Sequence, residues 1–206
     1  MRLFSQHKQA DIQQPQNCKQ ALFRDFRDIV YILVIFLVIY ALFFRVVVVE
    51  GSSMNQTLVD GDRIFLISRT LYHNPKQGDI IVASKDTFRN GECIVKRVIA
   101  VAGQTVDIDY EKRIVYIDGQ PLEESYVFFK ADDNRPMANE GLEFPLVVQE
   151  GCVFVMGDNR NASTDSRDPD IGLIDLREIL GRAVFIMLPG TDGGKIVPDY
   201  SRIGGI

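Results

Sequence analysis

The hydrophobic pattern of the chain changes once, from a single long apolar run to short segments that alternate with turn residues. Residues 29–44, IVYILVIFLVIYALFF, carry no charge, and four valines at 46–49 follow Arg45. As a helix this run would be about 24 Å long, and about 30 Å with the valines and a snorkelling Arg45, which is the thickness of a bilayer's hydrocarbon core. The pattern therefore predicts one membrane-spanning helix at residues 28–45.

Two other structures for this run are less well supported. A buried core helix is disfavoured because the run is apolar on all sides. A cleaved signal peptide is disfavoured because the run is long for the apolar part of such a peptide, and no small-residue cleavage site precedes the valines. We therefore interpret the run as a retained anchor.

The basic residues that flank the run predict its orientation. Three of them precede the span, namely Lys19, Arg24 and Arg27, whereas only Arg45 follows it closely. The positive-inside tendency places residues 1–27 in the cytoplasm and the body of the chain outside a cell membrane that is crossed once. Residues 1–20 are polar and Gln-rich, and we expect a disordered tail there.

The remaining residues, 46–206, have the pattern of a β-rich extracytoplasmic domain. Seven short segments are rich in β-branched or aromatic residues and bounded by turn residues: 63–68, 79–83, 93–102, 105–108, 113–117, 152–156 and 182–188. One helical turn is predicted at residues 175–180. The looser pattern at 123–150 predicts that residues 104–150 include a smaller β excursion. The expected fold is mainly antiparallel β on a single N-terminal transmembrane helix.

Charge and cysteine content exclude several classes of function. Residues 1–45 hold six of the 23 Lys/Arg and three of the 28 Asp/Glu, so the body keeps 17 basic against 25 acidic side chains. An acidic body argues against nucleic acid as a partner. The cysteines and histidines lack metal-ligand spacing, so we expect no metal and no other cofactor. Cys93 and Cys152 could form a disulfide or remain free thiols.

A Gly/Ser-rich bend, EGSSM, follows the valines at residues 50–54. Small residues at such a bend let another backbone approach closely and leave a hydroxyl accessible. Ser52 and Ser53 are therefore candidate nucleophiles close to the predicted membrane surface. A plain turn after a strand would explain the same residues.

Lys96 lies in the predicted strand at residues 93–102. Alternation places it on one face with Ile94 and Val98, and places Arg97 on the opposite face. An exposed edge-strand charge is one explanation for such a lysine. The other is a desolvated amine, because burial disfavours the ammonium and lowers its pKa. A neutral amine of this kind can serve a nucleophilic serine as general base in place of histidine.

A third polar cluster, GDNRNASTDSR at residues 157–167, directly follows a predicted buried strand. It is dense in hydrogen-bonding groups, which is typical of a structured loop. A calcium loop of the EF-hand type is disfavoured because the alternating acidic residues and the closing glutamate are lacking. Asp165 and Arg167 could pair and hold the loop, while Ser163 could hydrogen-bond the amine of Lys96.

Four segments together resemble the sequence boxes of type I signal peptidases, the membrane-anchored serine proteases that remove signal peptides from exported proteins. They match in order and spacing and lie at residues 51–58, 78–82, 95–99 and 157–167. Residues 181–185 and Pro189 also resemble the last strand of that family. The resemblance extends over residues 28–190, and the short spacing is similar to the smaller Gram-positive form with a single anchor.

The resemblance implies a role for each matching residue. Ser53 matches the nucleophile, because the family's serine directly precedes a methionine, here Met54; Ser52 is the competing candidate. Lys96 matches the general base. The remaining matches are Ser163 as the serine that orients the lysine, Asp165 and Arg167 as the supporting pair with Arg97 beside them, and Met54 as a residue near substrate or membrane.

The oxyanion hole and two departures from the family pattern complete this comparison. The resemblance implies that backbone N–H groups at Ser52 and Ser53 bind the oxyanion. They would carry more of that stabilisation here, because Gly51 stands where some members have a hydroxyl residue. Such donors contribute about 2.7–4 kcal/mol in other acyl-transfer enzymes. Gln56 replaces a usual proline, and Asn161-Ala162 alters the middle of the last box. None of these changes touches Ser53 or Lys96.

The resemblance implies a membrane-bound serine endopeptidase whose partners are exported preproteins and the lipid bilayer. It would cut after small residues, at sites of the Ala-x-Ala type, through an acyl-enzyme. The sequence leaves the oligomeric state open. Two alternatives compete: a non-catalytic membrane-anchored β domain, and a self-cleaving Ser/Lys regulator. The regulator would need an N-terminal DNA-binding domain, where this chain has an apolar run.

Overall fold

The structure is a computed structural model that describes residues 14–85, 88, 91–130, 135–139, 141–191 and 199–206. The chain divides into two compact units, Met1–Leu42 and Phe43–Ile206. The helix α1, Gln14–Phe43, accounts for the described part of the first unit. Its stretch Gln20–Phe43 is long and apolar enough to cross a membrane, and none of it is buried.

The described residues of the second unit form twelve short strands and a 3₁₀ turn. The strands are β1 Phe44–Val48, β2 Arg63–Ser68, β3 Ile80–Ser84, β4 Cys93–Val101, β5 Thr105–Asp109, β6 Ile114–Ile117, β7 Gln120–Pro121, β8 Leu146–Val147, β9 Cys152–Met156, β10 Ile174–Asp175, β11 Ile179–Leu188 and β12 Gly204–Gly205. The 3₁₀ turn is Tyr200–Arg202.

The strands form two antiparallel sheets. The main sheet has the order β1-β2-β11-β3-β4-β9-β10, with β12 paired to β11, and the smaller sheet has the order β7-β6-β5-β8. The mainly antiparallel β fold with one N-terminal apolar helix, predicted from the sequence, is confirmed. Each of the predicted strand segments overlaps an observed strand, because β-branched residues suit a half-buried pleated surface.

The central strand β3 is buried on both faces. Ile80 and Val82 belong to one apolar cluster, which also contains Met54, while Ile81 and Ala83 belong to another on the opposite face. Burying one aliphatic side chain of this size stabilises a fold by about 1.5–3 kcal/mol. The strand β3 is therefore a well-packed neighbour for β4, which carries Lys96.

The sequence predicts a helical turn at residues 175–180, and this prediction is wrong. Instead β10 lies on β9, the chain turns at once, and β11 begins at Ile179. The Asp175 carboxylate accepts the backbone N–H of Arg177 at 2.7 Å, and the Glu178 carboxylate accepts that of Asp175 at 2.9 Å. These side chains close a tight turn, and the following residues pair with β3.

The N-terminal prediction differs from the structure at both ends of the helix. Residues 14–20, predicted to belong to a disordered tail, are helical, while residues 1–13 lie outside the described residues. The helix ends at Phe43, so Phe44 and Arg45 are the first residues of β1. The two cysteines of the sheets, Cys93 and Cys152, are both free thiols.

Candidate active site

The turn after β1 and the first half of β4 bring Ser53 and Lys96 together. Lys96 Nζ donates a hydrogen bond to Ser53 Oγ at 2.8 Å and another to the carbonyl oxygen of Val95 at 3.1 Å. The Lys96 side chain is buried, with a relative exposure of 5%. A serine hydroxyl thus lies within proton-transfer distance of a buried amine.

Strand alternation explains how a lysine becomes buried here. Lys96 occupies the face of β4 that also carries Ile94 and Val98, as the sequence predicts, and both of these neighbours are buried. On one side β3 covers β4, with Ile81 opposite Lys96. On the other side β9 begins to pair only at Arg97. The backbone before Arg97 therefore borders a cleft rather than another strand.

The turn at residues 50–56 carries the candidate nucleophile Ser53 and is called the nucleophile turn below. It is fixed by its own hydrogen bonds and by the core. Gly51 has a φ of +85°, a conformation that favours glycine, and its N–H donates to Asp60 Oδ1 at 2.7 Å. The N–H of Asn55 bonds to the carbonyl of Ser52 at 3.1 Å. Met54 is only 1% exposed and packs in the apolar cluster beneath the turn. Its side chain faces the core, whereas the sequence suggests a place near substrate or membrane.

The loop at 157–167 is organised around the buried carboxylate of Asp165. This carboxylate accepts hydrogen bonds from Ser163 Oγ at 2.8 Å, from the N–H of Gly157 at 2.9 Å and from Arg167 Nε at 2.8 Å. Arg167 also donates to the carbonyl oxygens of Arg160 and Ala138. The predicted pairing of Asp165 with Arg167 is present, and it ties both ends of the loop together.

The surroundings of Asp165 act on its pKa in opposite directions. Burial on its own raises the pKa of the carboxyl group. The charge and hydrogen bonds of Arg167 oppose this, as do the donors on Gly157 and Ser163, and together they hold the pKa below its ordinary value. The carboxylate is therefore charged at neutral pH and orients the Ser163 hydroxyl.

Arg97 lies on the opposite face of β4 from Lys96. Its guanidinium binds both carboxylate oxygens of Asp158, at 2.8 and 2.7 Å, and donates to the carbonyl of Gly78 at 2.8 Å. Thr57 Oγ1 donates to the same Asp158 carboxylate at 2.5 Å. Asp158 thereby connects β4 to the segment that follows the nucleophile turn. Neither Asp158 nor Thr57 was identified from the sequence as a supporting residue.

Asn159 joins the loop at 157–167 directly to the nucleophile turn. Its side-chain Nδ2 donates to the carbonyl of Ser52, and its backbone N–H donates to the carbonyl of Ser53, both at 3.0 Å. A Cβ added to Gly157 would lie 2.2 Å from Ser163 Oγ and 2.5 Å from the Ser53 carbonyl oxygen. Only glycine allows the two segments to approach this closely.

Residues 124–128 make several contacts with the same loop and with Arg97. The backbone of Phe128 pairs with Asn159 in an isolated parallel bridge, and its N–H donates to the Asp158 carbonyl at 2.8 Å. The Glu124 carboxylate accepts hydrogen bonds from both terminal nitrogens of the buried Arg160, with Nη1 at 2.9 Å. The Tyr126 ring centroid lies 3.9 Å from Cζ of Arg97. These residues fall in the sequence stretch with the loosest pattern, so periodicity gave no signal for them.

A cleft of about 400 Å³ opens beside Ser53 and Lys96. Its lining consists of residues 47–53 and 92–96 together with Phe88, Ala162 and Thr164. Among the residues that the structure describes, no cluster of three or more His, Cys, Asp or Glu side chains could hold a metal ion. Of the predicted residues, Ser52, Ser53 and Lys96 thus line one cleft, together with Ala162 and Thr164 of the third sequence segment.

The sequence matches a known protein family over most of its length. Residues 22–188 match the profile described as "Signal peptidase, peptidase S26". The chain is 36% identical over 180 residues to signal peptidase I of Bacillus licheniformis, covering 84% of this chain and 92% of that protein. It is 37% identical over 156 residues to probable signal peptidase I-1 of a Synechocystis species, covering 72% of this chain and 73% of that protein.

A solved structure is also similar in sequence. The crystal structure of a signal peptidase I from Enterococcus faecalis is 33% identical and covers 53% of this chain and 96% of that one. Its TM-score of 0.42 is too low to bear on the fold. The profile match and the curated relatives confirm the resemblance read from the motifs. The chain belongs to the signal peptidase I family of serine endopeptidases, which cleave signal peptides.

Proposed function

We propose that this chain cleaves signal peptides with Ser53 as nucleophile and Lys96 as general base. The observation that carries the proposal is the 2.8 Å hydrogen bond between Lys96 Nζ and Ser53 Oγ at a lysine that is 5% exposed. Burial disfavours the charged ammonium and thereby favours the neutral amine that a general base requires. In water a lysine would stay charged and could not accept a proton.

The proposed reaction proceeds through an acyl-enzyme. Ser53 Oγ attacks the scissile carbonyl carbon while its proton passes to Lys96 Nζ, and the ammonium then donates that proton to the leaving amine. A water molecule next attacks the ester; Lys96 takes a proton from the water, and Ser53 recovers its hydroxyl hydrogen when the ester breaks. The backbone N–H of Ser53, beside Ser52, is the proposed donor to the oxyanion.

Supporting residues hold these two groups in register. Asp165 orients Ser163, and we propose that Ser163 in turn directs the Lys96 amine towards Ser53. Arg167 keeps the Asp165 carboxylate charged, and Arg97 anchors β4 to Asp158. A preprotein would add as an extended strand along the open edge of β4, with main-chain hydrogen bonds supplying affinity. The preference for Ala-x-Ala sites rests on the family resemblance.

The proposed organisation is a cytoplasmic tail at residues 1–27, an anchor at 28–45 and an extracytoplasmic peptidase domain at 46–206. The apolar α1 and the family membership fit a single-pass membrane protein. Anchoring in the bilayer that holds the substrate's own apolar segment raises the local substrate concentration, so a tight pocket is unnecessary. The orientation follows from the basic residues before the span.

Cleavage of a preprotein with an Ala-x-Ala site tests the proposal on the detergent-solubilised full chain. We expect Ser53→Ala and Lys96→Ala each to lower kcat by at least about 10³-fold, as for other catalytic dyads and triads. Lys112→Ala, which removes an exposed lysine paired with Asp109, is the matched control and should keep wild-type activity. Thermal unfolding of each variant checks that it is folded.

The outcomes separate the candidate functions. If folded Ser53→Ala cuts as well as the wild type, the nucleophile is wrong, and Ser52→Ala then tests the neighbouring serine. If folded Lys96→Ala cuts as well as the wild type, the base is wrong. If the wild type cuts no preprotein in several lipids and at several pH values, a non-catalytic membrane-anchored β domain becomes the better explanation.

A further inference from the structure

The segment at residues 199–206 lies beyond the part of the chain that matches the family profile, which ends at residue 188. It contains the 3₁₀ turn Tyr200–Arg202 and the strand β12. We propose that Arg202 is a positioning residue for the cleavage reaction, which holds the loop after the nucleophile turn in place. The inference rests on the proposed role of Ser53.

Arg202 binds the loop at two points. Its Nη1 donates to Asp62 Oδ1 at 2.9 Å and its Nη2 to Asp62 Oδ2 at 2.7 Å, a bidentate pair. The same Nη2 donates to the carbonyl oxygen of Thr57 at 3.1 Å. The planar guanidinium suits this arrangement, because one fork of donors reaches a carboxylate and a neighbouring carbonyl together.

The Asp62 carboxylate that Arg202 binds is buried and accepts several other hydrogen bonds. Its side chain is fully buried, at 0% exposure, while that of Arg202 is 20% exposed. The carboxylate also accepts the backbone N–H of Val59 at 2.8 Å and that of Gly190 at 2.7 Å. Within the described part of the chain, Arg202 is the cation bonded to this buried carboxylate, and a buried charge without its partner is strongly unfavourable.

The backbone closes a loop around the nucleophile. The N–H of Val49 donates to the Asp62 carbonyl at 2.8 Å, and the N–H of Gly61 donates to the Val49 carbonyl at 2.9 Å. The nucleophile turn lies between these paired ends, so Ser53 is carried on a closed loop of residues 49–62. Arg202 binds that loop at its base, through Asp62, and along its returning arm, through Thr57.

A short chain of contacts connects Thr57 to Ser53. Thr57 Oγ1 donates to Asp158 Oδ2, and the next residue, Asn159, holds the carbonyl oxygens of Ser52 and Ser53. Displacement of Thr57 would therefore loosen both the Asp158 contact and the support of the nucleophile. A displacement of about 1 Å can cost an enzyme about 10²-fold in rate.

Arg202 is itself anchored by the residues that follow it. β12 pairs with Phe185 and Ile186 of β11, and the N–H of Ile206 donates to the Val184 carbonyl at 3.1 Å. The Ile206 side chain packs against the apolar cluster that contains Met54. The segment therefore spans from the main sheet to the loop that carries Ser53, with Arg202 at its contact point.

Kinetics of Arg202 variants test this inference on the detergent-solubilised full chain. We expect Arg202→Gln to lower kcat for a preprotein by about 10- to 100-fold with KM changed less than about twofold, because the nucleophile is misplaced while the cleft remains. Arg202→Lys should restore part of the loss, since it keeps the charge but not the fork of donors. With kcat calculated per folded molecule, a structural role alone would lower the folded fraction and leave kcat unchanged.

Two further variants keep the test decisive. Arg177→Gln is the matched control, because Arg177 forms a bidentate pair with Asp175 at 2.9 and 2.7 Å in the turn before β11; its kcat should equal that of the wild type. The double variant Asp62→Asn with Arg202→Gln removes the buried charge as well. It should fold even if Arg202→Gln alone does not, and should still show the lowered kcat.

Each outcome bears on one hypothesis. Wild-type kcat in folded Arg202→Gln or in the folded double variant overturns the role of Arg202, as does activity that falls only in proportion to the folded fraction. If neither variant folds, the segment supports the fold, and the positioning role is likewise overturned. An inactive wild type, or an active Ser53→Ala, instead overturns the proposed nucleophile.

Discussion

At the scale of single residues, Lys96 and Arg97 show how one strand makes polar contacts on both of its faces. Lys96 reaches Ser53 on one face of β4, and Arg97 reaches Asp158 on the other. The period of two in a β-strand requires this division, and the sequence predicts it. The partners themselves lie 43 and 61 residues away along the chain, and only the folded sheet brings them near.

Asp165 gives the residue scale a prediction about pH. The folded protein holds its pKa below the ordinary 3.8, so the unfolded chain takes up a proton at a higher pH than the native state does. The resulting stabilisation is fully present well above pH 3.8 and is lost as the pH falls through 3.8 towards the native pKa. We expect the difference in unfolding midpoint between the wild type and Asp165→Asn to narrow over that window.

Thermal unfolding at several pH values between about 3 and 7 measures this difference, since carboxylates titrate in that range. The comparison with Asp165→Asn removes the contribution of the other acidic residues. A difference in midpoint that stays constant down to the lowest pH would show that Asp165 does not carry the predicted linkage.

At the scale of elements, the segment at residues 124–128 shows that an irregular stretch can be a structural support. Its contacts with Asp158, Arg160 and Arg97 hold the loop that orients Ser163 and binds the nucleophile turn. Burial raises the pKa of the Tyr126 hydroxyl, which donates to Glu124 at 3.0 Å, so this tyrosine is neutral at neutral pH. The segment has no regular strand or helix, yet the side chains of Glu124 and Tyr126 and the backbone of Phe128 each make a defined contact.

The ring of Tyr126 is the part of this element that a matched pair of variants can isolate. Tyr126→Phe keeps the ring over Arg97 and loses only the hydroxyl, whereas Tyr126→Leu loses both. We expect the free energy of unfolding of Tyr126→Leu to be lower than that of Tyr126→Phe by about 0.5–2 kcal/mol, the size of a partly buried cation–π contact. Denaturant unfolding measures it, and equal stabilities would mean that the ring adds nothing beyond its burial.

At the scale of the whole molecule, the chain combines an unburied apolar helix with a packed β domain. The helix presents large apolar side chains along its length, which suits a lipid environment and no aqueous one. This arrangement is consistent with the family's activity, because signal peptides also contain an apolar segment. The orientation of the span decides on which side of the membrane the peptidase domain works.

The cysteines provide a test of that orientation. One variant keeps only Cys18, which precedes the span, and another keeps only Cys93, which is exposed in the β domain. In intact cells a membrane-impermeant maleimide should label the Cys93 variant and leave the Cys18 variant unlabelled, and permeabilisation should allow both to react. The reverse pattern would place the peptidase domain in the cytoplasm.

Local patterns in the sequence determined the elements and the identity of the groups with chemistry. The apolar run and the alternating strands depend on neighbouring residues alone, so a reader of the chain can find them. Ser53, Lys96 and Asp165 received their candidate roles from the resemblance to the family's sequence boxes. The helical turn predicted at residues 175–180 is wrong because the local pattern does not decide the structure there. There a helical pattern competes with side-chain contacts to the backbone and with pairing to β3, and the long-range pairing prevails.

Only the tertiary structure decided which distant groups meet. Asp62 with Arg202, and Asp158 with Thr57, are separated by 140 and 101 residues, and no periodicity links the members of either pair. Their contacts depend on the order of strands in the sheet, which fixes what lies beside the nucleophile turn. A short-range pattern encodes burial and turn formation. The contacts around the candidate active site instead depend on long-range packing, which no short-range pattern specifies.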